Sequence, residues 1–168
     1  MKRVVLIIPE DKFRDEELMQ PKAFLEKNAI EVKVASTTLN PVIGMLGAKV
    51  KPDILVSDIK VEDFDAIVFI GGSGSAQYWD DPFAHQIARK ANNSGRILAA
   101  ICIAPVTLAR AGVLKGKRAT VFSSEADLLT AEGAKYTAKP LEKDGNIITA
   151  GGPSAAREFA EELLKALK

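Results

Sequence analysis

The chain contains one cysteine, Cys102, and the residues around it suggest that its side chain can react. The segment Arg96–Ile101 has the continuous apolar pattern of a buried strand, and Pro105 suits the first turn of a following helix. Only about one residue is left for the reversal between the two elements. A side chain at such an apex is held in a strained turn and presented to a cleft. The sequence therefore predicts a nucleophile elbow at Cys102.

The helix after this elbow should also change the chemistry of the thiol. Its free backbone N–H groups and the positive end of its dipole would face the sulfur. We therefore expect the pKa of Cys102 to lie below its ordinary value, with thiolate present at neutral pH. The alternative is a buried cysteine that packs as a small apolar side chain. Its position at a strand-to-helix junction favours the reactive thiol.

A glycine-rich loop, Gly71–Gln77, follows another predicted strand at Ala66–Ile70. The loop lacks the Gly-Lys-Ser/Thr of a Walker A motif and the third glycine of a dinucleotide-binding fingerprint. Glycines allow the backbone to approach a ligand closely. The Gly72 amide could form half of an oxyanion hole, with an amide just after Cys102 as the other half. A plain flexible turn is the alternative that this segment leaves open.

Two acidic residues, Glu16 and Glu17, stand near the start of a helix predicted over Asp15–Lys27. Acids at this position usually interact with the helix dipole. Helical spacing, however, places Glu17 on the inner face and Glu16 toward solvent. A buried, protonated Glu17 could donate a hydrogen bond to a Cys102 thiolate and stabilise it.

The remaining pattern alternates strands with helices over the whole chain. This alternation predicts an α/β fold with a doubly wound, mainly parallel sheet, in one domain spanning residues 1–168. Ligands bind beyond the carboxyl ends of strands in such sheets, where residues 9–17, 71–77 and 102–105 all lie. The further predicted strands are 4–8, 30–35, 117–122 and 146–149, with a small β-excursion within 36–53 and a turn at 142–145. The further predicted helices are 81–91, 105–111, 124–130 (capped by Ser123 or Ser124) and 154–168.

Composition excludes several classes of function. Hydrophobic residues make up 47% and charged residues 27% of 168 residues, and the net charge is +1, so neither nucleic acid nor a membrane surface is expected as a partner. The apolar run before Pro9 is too short for a signal peptide or a membrane span. One cysteine excludes an intramolecular disulfide and favours the cytoplasm. A single histidine, His85, cannot build a histidine cluster for a metal, and we expect no metal and no cofactor.

Taken together, these segments resemble the ThiJ/PfpI superfamily, which includes deglycase-like proteins and PfpI-type intracellular proteases and has the class I glutamine amidotransferase-like fold. The resemblance implies a flavodoxin-like sandwich, a nucleophilic Cys102, Glu17 as its carboxyl partner, and the Gly72 and Ile103 amides at the oxyanion position. It also implies a homodimer or a higher homo-oligomer. The segments that carry the resemblance are 13–18, 70–72, 99–105, 114–120 and 142–153.

The sequence departs from this family at the positions of a general base and of a cation. PfpI-type proteases have His directly after the cysteine, where this chain has Ile103. The deglycase-like branch has a His on the next strand, which falls at Phe122 here. Ala150-Gly151 replaces the Ser/Thr-Arg that commonly precedes the final Gly-Pro. His85 is distant from the elbow in sequence and is interpreted as a surface or interface residue. A Cys–His–acid triad within one chain is therefore not expected.

Two functions follow as hypotheses. The first is a cofactor-free enzyme of glyoxalase or deglycase type, in which Cys102 adds to a small reactive carbonyl compound and Glu17 moves protons. The second is a non-enzymatic redox or stress-response protein whose thiol is oxidised to sulfinic acid by a peroxide. A weaker third is a cysteine peptidase or amidase. The missing histidine argues against it, because an amide leaving group must be protonated.

Overall fold

Runs of Val, Ile and Leu form the central strands because a strand between two helical layers must be apolar on both faces. In the computed structural model, which describes residues 1–168, the strands are β1 Arg3–Ile7, β2 Glu31–Ser36, β3 Val42–Ile43, β4 Lys49–Val50, β5 Ile54–Leu55, β6 Ala66–Phe69, β7 Ile97–Ile101, β8 Arg118–Ala119, β9 Lys135–Tyr136, β10 Leu141–Asp144 and β11 Ile147–Ala150. The α-helices are α1 Asp15–Lys27, α2 Pro82–Asn93, α3 Pro105–Arg110, α4 Ala126–Ala131 and α5 Ala156–Leu167. None of them is long and apolar enough to cross a membrane.

Seven strands form the main sheet in the order β10-β11-β7-β6-β1-β2-β5. All of its pairings are parallel except that between β10 and β11. Alternate residues of β1 face opposite cores: Val5 and Ile7 pack with α2 and α3, whereas Val4 and Leu6 pack with α1 and α5. The predicted doubly wound, mainly parallel α/β sandwich is confirmed.

The carboxyl ends of the three central strands bring the candidate segments together. Ile7 is aligned with Phe69, and Phe69 is aligned with Ala100. The chain therefore leaves β1, β6 and β7 at one edge of the sheet. The segment before α1, the glycine loop and Cys102 all start from this edge.

A short hairpin of β3 and β4 flanks the same edge, where the sequence predicts a small β-excursion. The Asp15 carboxylate accepts hydrogen bonds from the backbone N–H groups of Leu46 and Ala48, at 2.8 and 2.7 Å. The start of α1 thus fixes the hairpin. This contact places Met45 beside the glycine loop, where its sulfur accepts a hydrogen bond from the Ser73 N–H at 3.4 Å.

Three predictions about local structure are wrong. Residues 142–145 were expected to be a turn, but 141–144 form β10, because their backbone pairs antiparallel with β11 and the two residues Gly145 and Asn146 make the reversal. A strand was expected over residues 117–122, but only Arg118–Ala119 (β8) forms one. It pairs with β9 in a separate two-stranded sheet. No serine side chain caps α4, since a 3₁₀ turn over Ser123–Glu125 leads into it instead.

The strand-to-helix reversal at Cys102 has left-handed backbone geometry. Cys102 has φ +66°, a conformation that costs an L-residue roughly 1–2 kcal/mol. Two hydrogen bonds hold it there: the Cys102 N–H donates to Ala150 O at 2.9 Å, and the Cys102 carbonyl accepts from the Phe122 N–H at 2.8 Å. The predicted elbow is therefore present in the backbone. Its strain is maintained by β11 and the segment after β8.

We expect Cys102→Gly to be more stable than Cys102→Ala, by about 0.5–1.5 kcal/mol, because only glycine adopts this φ without strain. Urea unfolding of the two variants measures the difference. Ala104→Gly is the matched control: Ala104 is buried with an ordinary φ of −63°, so glycine there should lower the free energy of unfolding. Equal stability of the two Cys102 variants would show that the elbow is unstrained.

Candidate active site

Cys102 lies at the bottom of a cavity of about 380 Å³ at the carboxyl edge of the sheet. The cysteine is 8% exposed, so its sulfur is reached only through this cavity. Most of the wall is apolar, and two charged side chains, Arg14 and Glu125, also line it. The lining residues are Arg14, Met45, Gly72, Ser73, Ala76, Trp79, Cys102, Ile103, Phe122, Ser124, Glu125 and Pro153.

The two backbone amides expected at the oxyanion position both face the thiol. The N–H groups of Gly72 and Ile103 interact with the Cys102 sulfur and act to lower its pKa. Neither N–H donates to a backbone carbonyl. Gly72 has φ +105°, and a Cβ there would overlap the backbone of the segment before α1. The positive φ and this close approach both require glycine at position 72.

Glu17 is completely buried beside Cys102. A Cβ at Gly71 would overlap Cys102 Cβ and lie 2.5 Å from Glu17 Oε1. The Glu17 carboxyl and the cysteine side chain therefore lie on either side of Gly71, close to each other. No hydrogen bond of ordinary geometry reaches either carboxyl oxygen of Glu17. The Cys102 thiol and the Gly71 N–H nevertheless lie near enough to influence it. The prediction that Glu17 lies on the inner face and Glu16 toward solvent is confirmed, since the Glu16 side chain is 31% exposed.

Burial changes the protonation of both groups. Burial raises the pKa of Glu17 to about 8, against the opposing effects of the Cys102 thiol and the Gly71 N–H. Burial, followed by the charge of Glu17, raises the pKa of Cys102 to about 12 and outweighs the two amides. The expectation of a thiol pKa below its ordinary value is therefore wrong for the resting site. Near neutral pH both groups hold their protons, and the carboxylate that forms near pH 8 can accept the thiol proton.

Arg14 belongs to the site both through its backbone and through its side chain. Its N–H donates to Gly71 O at 2.9 Å, which fixes the glycine loop against the start of α1. Its guanidinium donates to both Glu16 carboxyl oxygens, at 2.9 and 3.0 Å, and its charge acts on both Glu17 and Cys102. Sequence reasoning missed this residue. The available signal was a cation directly before a helix whose first turn is otherwise acidic.

Trp79 connects the cavity wall to the elbow. Its indole N–H donates to the carbonyl of Ile103 at 3.1 Å, so it helps to fix the residue whose own N–H faces the thiol. Sequence reasoning missed Trp79 as well. His85 does not line the cavity, and its Nε2 lies 2.7 Å from Trp79 O.

Comparison with protein families gives a match over nearly the whole chain. The model described as "DJ-1/PfpI family" matches residues 2–166. The chain belongs to this family. The resemblance found in the sequence is therefore confirmed at the level of the family and its fold.

Relatives in the DJ-1/PfpI family include proteins named for carbonyl chemistry. The chain is 41% identical to an uncharacterized protein of Methanocaldococcus jannaschii, covering 99% of this chain and 82% of that protein. It is 30% identical to Deglycase PfpI of Pyrococcus furiosus, covering 98% and 99% of the two chains. It is 27% identical to the glutathione-independent glyoxalase DJR-1.2 of Caenorhabditis elegans, covering 99% and 89%.

Solved structures of the family superpose closely on this chain. A ThiJ/PfpI domain protein from Brachyspira murdochii has a TM-score of 0.96 and 29% identity, covering 98% of this chain and 95% of that one. Oxidized DJ-1 of Toxoplasma gondii has a TM-score of 0.89 and 28% identity, covering 99% and 91%.

Both positions at which the family resemblance implies a histidine carry apolar side chains in the cavity wall. Phe122, the position at which the resemblance implies the histidine of the deglycase-like branch, is part of the cavity wall and cannot exchange a proton. Ile103, where PfpI-type proteases have a histidine, also lines the cavity. Glu17 is thus the titratable side chain placed directly beside the thiol.

We expect Gly71→Ala to lower the free energy of unfolding by about 1–3 kcal/mol, because the added methyl overlaps the cysteine side chain and the Glu17 carboxyl. Urea unfolding measures the change. Gly151→Ala is the matched control, since the nearest atom to its Cβ would be 3.7 Å away, an ordinary contact. An equal loss of stability in both variants would show that overlap with Cys102 and Glu17 is not the cause of the loss at Gly71.

The raised pKa of Glu17 predicts a stability that depends on pH. Glu17 has an ordinary pKa of 4.5 and a folded pKa of about 8, so the folded state binds more protons between these values and stability falls as pH rises. We expect Glu17→Gln to remove this dependence. The free energy of unfolding of the variant minus that of the natural chain should therefore be about 2–4 kcal/mol larger at pH 9 than at pH 4. Urea unfolding at both pH values tests it. Parallel pH profiles of the two proteins would contradict a buried, titrating Glu17.

Proposed function

We propose that this protein is a cofactor-free enzyme of glyoxalase or deglycase type, with Cys102 as nucleophile and Glu17 as the group that moves protons. The observation that carries the proposal is the buried pair itself: one thiol and one carboxyl side by side beneath a mainly apolar cavity. Strongly perturbed pKa values of adjacent groups in a cleft are typical of catalytic sites. The relatives named as a deglycase and as a glyoxalase support the same chemistry.

The first step is addition of the thiol to the aldehyde carbon of a 2-oxoaldehyde. The sulfur forms a bond to carbon as Glu17 takes the S–H proton, so no free thiolate has to accumulate. The carbonyl oxygen gains negative charge, and the Gly72 and Ile103 amides are the donors placed to stabilise it. Glu17 returns the thiol proton to that oxygen, which gives a hemithioacetal and restores the carboxylate.

The second step is an internal proton shift. Glu17 removes the proton from the carbon bonded to sulfur and returns it to the neighbouring carbon. The hydroxyl proton on the first carbon passes to the oxygen of the neighbouring carbonyl, and the two transfers together convert the hemithioacetal into a thioester. Water then hydrolyses the thioester to a 2-hydroxy acid and restores the thiol. The balance is one 2-oxoaldehyde plus one water, so no external oxidant or reductant is needed. An adduct of the carbonyl with an amine would enter the same sequence after the amine has left.

A second candidate function is oxidation of Cys102 by a peroxide, which is favoured by the similarity to an oxidized DJ-1 structure. One peroxide would convert the thiol into sulfenic acid and water, and a second would give sulfinic acid. Peroxides react with thiolate, however, and burial raises the pKa of this thiol to about 12. Carbonyl addition ranks first because Glu17 can remove the proton during the step itself. Cytoplasmic location and assembly as a homodimer or higher homo-oligomer stay predictions for either function.

We expect the natural protein to convert methylglyoxal to lactate, and Cys102→Ser and Glu17→Gln each to lower kcat/KM by about a hundredfold or more, since nucleophile and base are lost. The carboxylate is the active form of Glu17. kcat/KM should therefore rise with pH, with a midpoint at about pH 8, and reach a plateau at higher pH. Lactate formation measured from pH 6 to pH 9.5 tests both expectations.

Glu142→Gln is the matched control for the loss of a buried carboxylate. Glu142 is buried, one of its carboxyl oxygens has no hydrogen-bond partner, and it does not line the cavity, so activity should stay within about twofold of the natural protein. Absence of turnover in the natural protein, together with a clean gain of two oxygen atoms at Cys102 under peroxide, would overturn the enzyme proposal in favour of oxidation.

A further inference from the structure

We propose that Arg14 makes the Cys102 cavity selective for carbonyl compounds that carry an anionic group at the end away from the reacting aldehyde. The inference rests on the proposed function for its substrate class. The attraction of an anion to the thiol can be measured without turnover.

The guanidinium of Arg14 keeps free hydrogen-bond donors at the cavity wall. Its Nε and Nη2 are held by Glu16, whereas Nη1 makes no hydrogen bond. The side chain is 29% exposed, so an anion in solvent can reach it. An arginine fixed on one edge presents its other edge in a defined direction, which suits a carboxylate or a phosphate.

Arg14 is also close enough to the reacting pair to act on a substrate bound there. Its charge interacts with both Cys102 and Glu17. Arg14 and Cys102 line the same cavity, so an anion drawn to Nη1 would be held in the cavity that contains the thiol. Glu16 neutralises part of the charge, so the attraction is smaller than that of an unpaired arginine.

No other lysine or arginine lines this cavity. The second charged wall residue, Glu125, is acidic, and one of its oxygens accepts a hydrogen bond from Ser124 Oγ at 3.2 Å. Trp79, Phe122 and Met45 supply an apolar surface between the charged groups. The wall thus fits a 2-oxoaldehyde with an apolar body and one negative group. 4-Carboxyphenylglyoxal has this form, and phenylglyoxal is its uncharged counterpart.

Alkylation of Cys102 by iodoacetate and by iodoacetamide measures the attraction directly. In both reactions the sulfur displaces iodide from a CH₂ group and the thiol proton passes to solvent, so the reagents differ mainly in charge. Because Cys102 is the only cysteine, the mass of the intact chain reports the rates. The rate ratio of iodoacetate to iodoacetamide, normalised to that of glutathione, should fall about fivefold in Arg14→Met, as expected for one screened unit charge.

Three further variants separate recognition from general damage to the fold. Arg14→Lys keeps the charge and should retain most of the ratio. Glu16→Gln removes the neutralising partner and should raise the ratio, a change that unfolding cannot produce. Arg157→Met is the matched control, because Arg157 is paired with Glu161 at 2.9 Å but does not line the cavity, and its ratio should be unchanged.

Turnover supplies the second arm. Initial rates should give a kcat/KM for 4-carboxyphenylglyoxal about fivefold above that for phenylglyoxal, and Arg14→Met should abolish this preference. An unchanged alkylation ratio in both Arg14→Met and Glu16→Gln would overturn the inference, even if both glyoxals are consumed. If neither glyoxal nor methylglyoxal is consumed but the alkylation ratio responds as expected, the proposed function fails and the anion selectivity of the cavity stands.

Discussion

The site depends on the absence of a side chain at Gly71. At this residue the end of β6 passes so close to the elbow after β7 and to the first turn of α1 that a Cβ would overlap the cysteine and approach the Glu17 carboxyl. The hydrogen bond from the Arg14 N–H to Gly71 O fixes this approach. Three segments that are distant in sequence are thereby brought together, and a carboxyl and a thiol share a buried space.

The protonation of the pair follows from this burial. An ionised carboxylate without hydrogen-bond partners is unfavourable in an apolar site, so Glu17 keeps its proton until about pH 8. The thiol is held neutral by the same burial and by its neighbour. The fold thus contains a buried carboxyl group without hydrogen-bond partners and a cysteine with a positive φ angle. Both features lower stability, and both are common at reactive sites. The hydrogen bonds of the Cys102 backbone to Ala150 and Phe122 hold the second feature in place.

The features of the site that depend on neighbouring residues in the chain could be predicted from the sequence. The strand, the lone cysteine and Pro105 were enough to predict the elbow, and helical spacing was enough to separate Glu17 from Glu16. The thiol pKa was mispredicted because helix N–H groups are visible in the sequence, whereas the depth of burial depends on distant segments that close over the sulfur. Arg14 was missed for a related reason: the direction of a side chain that precedes a helix is set by its partner, here Glu16, and not by periodicity.

The missing histidines restrict the chemistry instead of abolishing it. With Ile103 and Phe122 in the cavity wall, Glu17 is the group beside the sulfur that can both accept and return a proton. Hydrolysis of an amide needs one group to activate the thiol and proton donation to a departing amine on the far side of the carbon. In the proposed sequence, addition to an aldehyde has no leaving group, and the proton shift that follows stays on two adjacent carbons and their oxygens. The group that leaves in the final hydrolysis is the Cys102 sulfur, which lies beside Glu17 and can take its proton from it. One buried carboxyl with a pKa of about 8 can supply the proton transfers beside the sulfur that the proposed carbonyl chemistry requires, so the absence of histidine supports that proposal over proteolysis.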